Sequence, residues 1–83
     1  MVTPESIQQS IAQGMQQTHV EVSGDGAHFE AVIVSEEFTG KSRVQRHQRV
    51  YQTLGDRMRE EIHALSMKTY TPQEWQNLQQ IHH

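Results

Sequence analysis

Apolar residues recur every fourth position near the start of the chain, at Ile7, Ile11 and Met15, behind Thr3 and Pro4, which suit an N-cap and a first helical turn. This spacing predicts an amphipathic helix over residues 3–17, weakened towards its end by Gly14. The period then drops to two. Val20 and Val22 alternate with Glu21 in a strand over residues 19–23, and Gly24, Asp25 and Gly26 supply a tight hairpin. In the return strand, residues 28–35, Phe29, Ala31 and Ile33 face one side while Val32 and Val34 face the other, so its far half is apolar on both faces, as in a central strand. Residues 36–40 read as a loop around Phe38. Ser42 can cap the next element, and Val44, His47, Val50, Tyr51, Leu54 and Met58 keep helical spacing, but Gly55 interrupts them. The pattern predicts a short helical turn followed by a second helix to about residue 61. A third strand spans residues 62–70, and Thr71, Pro72, Gln73 and Glu74 form a capping box that opens a last helix with Trp75, Leu78 and Ile81 on one face. Together with Met15 and Met58, these three read as core residues.

The element order is αββ(αα)βα, an α+β single domain over residues 1–83 with a three-stranded mixed sheet. About 27 residues, carrying helices, separate the second strand from the third, a length that suits a right-handed crossover between parallel strands. As parallel neighbours, these strands begin at one edge of the sheet. His28, opening the second, and His63, opening the apolar run of the third, would share that edge, roughly 5 to 10 Å apart at a strand spacing of about 4.8 Å.

A chain of 83 residues supports one core and few elements. With no cysteine, a disulfide framework and a thiolate metal site made by this chain alone are excluded, and a reducing compartment is expected. No apolar run approaches the roughly 20 residues of a membrane span, and residues 1–17 are polar and Gln-rich without a basic start, so a soluble cytoplasmic protein is expected. The formal net charge of −3 opposes generic polyanion binding. Yet Lys41, Arg43, Arg46 and Arg49 fall in a stretch without an acid, which leaves a local basic face open.

Metal chemistry would therefore use His, Asp or Glu, or borrow thiolates from a partner. An imidazole at a strand start is held by backbone on one side and open on the other, which suits a metal ligand; a histidine simply bonded to a carbonyl is the competing reading of His63. Two histidines leave zinc or a [2Fe-2S] cluster short of its four ligands, so His28 and His63 would supply half a site and a partner the rest. His19 reads as exposed, opposite Val20 and Val22, and the terminal His82 and His83 receive no role. Lys41, Arg43, Arg46 and Arg49 suit a DNA-recognition helix, with guanidinium groups neutralising phosphates beside a capped N-terminus; a solvated charged face is the alternative. No nucleophile elbow or phosphate-cradling glycine loop occurs, and no enzyme activity is expected.

Val32-Ile33-Val34-Ser35, Phe38-Thr39-Gly40, Arg46-His47-Gln48-Arg49-Val50-Tyr51, Ile62-His63-Ala64-Leu65-Ser66 and Thr69-Tyr70-Thr71-Pro72 with Glu74 and Trp75 resemble, in order and spacing, the BolA family. The resemblance spans nearly the whole chain and is closest to the short YrbA-like (IbaG-like) bacterial branch. It implies a fold similar to class II KH domains without their Gly-x-x-Gly clamp. It also implies partnership with monothiol glutaredoxins across a bridging [2Fe-2S] cluster, to which the glutaredoxin brings cysteine and glutathione thiolates. The family's C-terminal histidine ligand falls on His63. Its other ligand, a His or Cys in the loop between the first two strands, has no direct counterpart, because that loop is cut to Gly24, Asp25, Gly26 and Ala27; His28 is the nearest candidate. Some relatives are described as DNA-binding regulators that use the helical pair, which matches the basic stretch, and a stress-response role follows from the same likeness. Free of its partner, the protein is expected as a monomer or weak homodimer.

Overall fold

The computed structural model describes residues 2–62 and 64–81. Helix α1 (Pro4–Gly14) starts in a capping box in which Thr3 Oγ1 accepts from the Ser6 amide at 3.1 Å and Ser6 Oγ accepts from the Thr3 amide at 3.0 Å. Its apolar stripe, Ile7 and Ile11, is fully buried. The helix ends at Gly14 and not at residue 17, for two tertiary reasons. A Cβ at Gly14 would lie 2.7 Å from Thr53 Cβ, so another helix passes closely here. The next backbone donors are also taken elsewhere: Gln16 N by the Glu37 carboxylate at 2.7 Å and Thr18 N by the Val34 carbonyl at 2.7 Å.

Strands β1 (His19–Gly24), β2 (Phe29–Val34) and β3 (Leu65–Tyr70) form one sheet in the order β1-β2-β3. The β1 and β2 strands are antiparallel, and β2 and β3 are parallel, as the crossover length predicts. The register places Val22, Ala31 and Met67 in one row and His19, Val34 and Tyr70 in another. The inner face packs Phe29, Ala31, Ile33 and Met67 against α1 and against Phe38, Val50, Leu54 and Ile62 in a single core. Strand β3 begins at Leu65 and not at 62, because the Ile62 amide donates to the Arg57 carbonyl at 2.8 Å and its side chain enters the core.

Residues 36–40, expected as a plain loop, contain a 3-10 turn (Glu36–Phe38) that buries Phe38 completely. Ser35 caps it: the fully buried Oγ accepts from the Glu37 amide at 3.0 Å and donates to the Gln16 carbonyl at 2.6 Å. In the helical pair the longer member comes first, the reverse of the expected order. Helix α2 (Arg43–Leu54) opens in a capping box of Ser42 and Gln45 and runs until Gly55, whose φ of 56° ends it; α3 (Arg57–Glu60) is a single turn.

Helix α4 (Pro72–Ile81) starts where the sequence places it, with Glu74 N donating to Thr71 Oγ1 at 3.1 Å and Thr71 N to Glu74 Oε1 at 2.8 Å. Its apolar face, however, does not enter the core. Trp75 and Leu78 are half-buried, and Trp75 lies with its ring 5.4 Å from both His19 (interplanar angle 21°) and Tyr70. Because His19, Val34 and Tyr70 share one row, this aromatic trio roofs Val34 on the outer face, where Val34 is fully buried. The finding corrects two expectations, that Trp75 and Leu78 are core residues and that His19 is simply exposed. The inner face is already filled by α1 and α2, which leaves α4 the outer one. Ile81's side chain is outside what the structure describes. Among the described residues, no helix is long and apolar enough to cross a membrane.

Candidate functional site

The turn between β1 and β2 presents His28. Asp25 Oδ1 accepts from the Ala27 amide at 3.0 Å and the His28 amide at 2.9 Å, and the Asp25 amide donates to the His28 carbonyl at 3.2 Å. These backbone donors, His28's first, hold the Asp25 carboxyl below its ordinary value. The His28 backbone is thus pinned while its side chain stays exposed, one residue before β2.

His63 lies outside the described residues. Its chain neighbour Ala64 accepts from the Phe29 amide at 2.9 Å, so the residues following the two histidines in sequence are bonded where the parallel strands begin. Among the described residues, no three His, Asp or Glu side chains gather as a metal-binding group. The described chain therefore does not close a four-coordinate site by itself, and its contribution at this edge is an exposed imidazole. That donor chemistry fits a cluster shared with a partner's thiolates.

The basic stretch is divided by the fold. Arg46 ties α2 to the Lys41 loop, β3 and α4: Nε donates to the Lys41 carbonyl at 3.0 Å, Nη1 to the Thr69 carbonyl at 3.4 Å, and Nη1 and Nη2 to the two oxygens of Glu74 at 2.8 and 3.3 Å. Its guanidinium also lies 5.8 Å from the centre of the Phe38 ring. Arg49 donates to Glu37 Oε1 at 3.0 Å and to the Gly14 carbonyl at 3.2 Å, satisfying the end of α1. The Arg46 hydrogen bond, followed by that from the Thr71 amide, holds the Glu74 carboxyl below the usual range, and the Gln16 amide, then Arg49, does the same for Glu37. Lys41 and Arg43 stay exposed and pair with no carboxylate among the described residues. Burial, assisted by the charge of Arg43, lowers the His47 imidazole below its ordinary value.

Glu37 and Glu74 are the functional neighbours that sequence reasoning missed. Glu74 is visible in the chain as a capping residue, but its pairing with Arg46 has no local signal.

The model of the family described as BolA-like protein matches residues 2–74. Acid stress protein IbaG of Escherichia coli is 44% identical over 83% of both chains. The DNA-binding transcriptional regulator BolA of Vibrio cholerae is 49% identical over 69% of this chain but 54% of its own length, and the regulator of Haemophilus influenzae is matched over 50% of its length, so the chain spans about half of these two relatives. Among solved structures, a bolA protein homologue from Coxiella burnetii superposes with a TM-score of 0.83 at 47% identity, covering 92% of this chain and 99% of that one.

Proposed function

Because the chain belongs to the BolA family, we propose that it is a non-enzymatic iron–sulfur partner protein that docks a monothiol glutaredoxin and shares a bridging [2Fe-2S] cluster, in cluster trafficking or iron and redox regulation. The observation that supports this most is the common start of β2 and β3, with Phe29 and Ala64 bonded at 2.9 Å next to the exposed His28. His28 and His63 would hold the cluster from this side, with cysteine and glutathione thiolates from the partner completing it. When bound, the cluster would supply iron that takes a neutral imidazole nitrogen as ligand.

The test is to mix the protein with cluster-loaded monothiol glutaredoxin and record visible circular dichroism. A new spectrum is expected with the native chain, lost with His63→Ala and altered with His28→Ala. An unchanged spectrum sinks the reading, and a full response from His63→Ala removes that ligand.

The names of the BolA regulators favour a second reading, duplex DNA binding through the N-terminal turn of α2. Arg46 and Arg49 are tied to Glu74 and Glu37, which leaves Lys41 and Arg43 for phosphates. The logarithm of the binding constant should then fall against the logarithm of salt concentration with a slope of about −2, not the roughly −3.6 of four contacts. Fluorescence anisotropy across a salt series measures the slope, and no binding at low salt eliminates the reading.

A further inference from the structure

Strand β3 is an edge: the sheet ends there, with β2 on one side and a groove on the other. Met67, Lys68, Thr69 and Tyr70 all line this groove, although alternate residues of a strand face opposite sides of a sheet, so the groove runs along the free edge itself. It has a volume of about 630 Å³ between the start of α2 and α4, with Lys41 and Arg43 on one wall and Leu78 on the other. The Ala64 carbonyl accepts from the Phe29 amide that opens β2 and the Tyr70 carbonyl from the Ser35 amide just past its end, at 2.9 Å each. In the parallel ladder the even-numbered residues between them do likewise, and Leu65, Met67 and Thr69 direct amide and carbonyl outward. The Arg46 guanidinium on the Thr69 carbonyl is what an outward-facing acceptor should attract. The backbone of Leu65 and Met67 is left as an open template.

We propose that this groove takes an extended acidic peptide segment of a partner protein, added as a fourth strand against β3. The inference does not rest on the cluster reading. Strand addition supplies main-chain hydrogen bonds, and side-chain pockets select the sequence. Lys41, Arg43 and Lys68 line the groove and pair with no carboxylate among the described residues, while Arg46 is paired with Glu74. Met67 on the inner side and Leu78 on the helix that covers the outer face give the incoming strand one apolar contact on each side. A second copy of this chain would bring the same cations against themselves, and the phosphates of a nucleic acid can accept from the outward amides of Leu65 and Met67 but offer no donors to the outward carbonyls that alternate with them.

The experiment titrates the isotopically labelled protein with a synthetic peptide of alternating valine and glutamate and follows backbone amides by NMR. Shifts centred on 65, 67 and 69, with slower hydrogen exchange at Leu65 and Met67, are expected. Arg43→Glu combined with Lys68→Glu should weaken binding at least about tenfold, since both side chains are exposed and the rest of the spectrum should not move. Two N-methylated peptides, each blocking one alternate set of amides, leave charge unchanged; one should lose binding and the other keep it. Equal binding by both, or by a lysine peptide, overturns strand addition. So does an oligonucleotide that shifts the same amides when the peptide does not, or concentration-dependent self-association that protects Leu65 and Met67 without peptide.

Discussion

Arg46→Ala is expected to lower the unfolding free energy by about 2–4 kcal/mol, a large share of the roughly 4–12 kcal/mol of a domain this size. Glu74 is nearly half exposed, so water screens part of its attraction for the guanidinium. Most of the loss comes from the less accessible side: the Lys41 and Thr69 carbonyls lose their donor, and Phe38 loses the cation at its ring. Urea unfolding at neutral pH measures it, and a loss below about 0.5 kcal/mol would show that the fork contributes nothing. Arg46→Lys keeps the charge but cannot reach all three acceptors, and should recover less than half. Acid adds a second readout. Glu74 and Glu37 have carboxyls held below their ordinary 4.5, so the stability they contribute is complete above about pH 4.5 and is lost as pH falls through the lower folded-state values. Without Arg46 the Glu74 part shrinks to what the Thr71 amide and hydroxyl still hold, and the decline in stability between about pH 5 and 3 should be shallower than in the native chain.

Gly24→Ala is expected to cost about 2–3 kcal/mol and to displace the turn that carries His28. A methyl group here would run into the His28 carbonyl and come within 2.6 Å of Phe29 Cδ1, and Phe29 is fully buried. Neither obstacle is the free end of a flexible side chain. Gly26→Ala is the control: its φ is 97° but no atom lies within 4 Å of the added carbon, so only backbone strain of about 1–2 kcal/mol is incurred. Thermal unfolding ranks the two variants. Amide shifts confined to residues 25–29 in Gly24→Ala, with weaker cluster sharing, would tie the turn to the site; equal melting of both variants would refute the steric account.

The parts of this fold that could be read from the chain are those in which cause and effect lie close in sequence. The Thr71 and Glu74 capping pair needs only its own four residues, and the parallel pairing of β2 and β3 follows from the length between them. Residues that depend on partners from elsewhere could not be read the same way. The end of α1 depends on Thr53, Glu37 and Val34, and the place of Trp75 on an inner face already filled by α1 and α2. Four cations between Lys41 and Arg49 are plain in the sequence, but which of them are spent depends on Glu37 and on Glu74, the latter 28 positions from Arg46. The same holds for the candidate site: His28 is visible as a residue type, while its pinning by Asp25 requires the turn to have closed.

The aromatic roof over Val34 gives the protein a built-in optical probe. Its single tryptophan lies against an imidazole on the outer face and not in the core. Indole emission responds to the packing and polarity around the ring, so fluorescence here follows whether the C-terminal helix is seated on the sheet. Far-ultraviolet dichroism follows the remaining helices and strands. A gap between the two signals during unfolding in denaturant would therefore mark the release of α4 ahead of the rest.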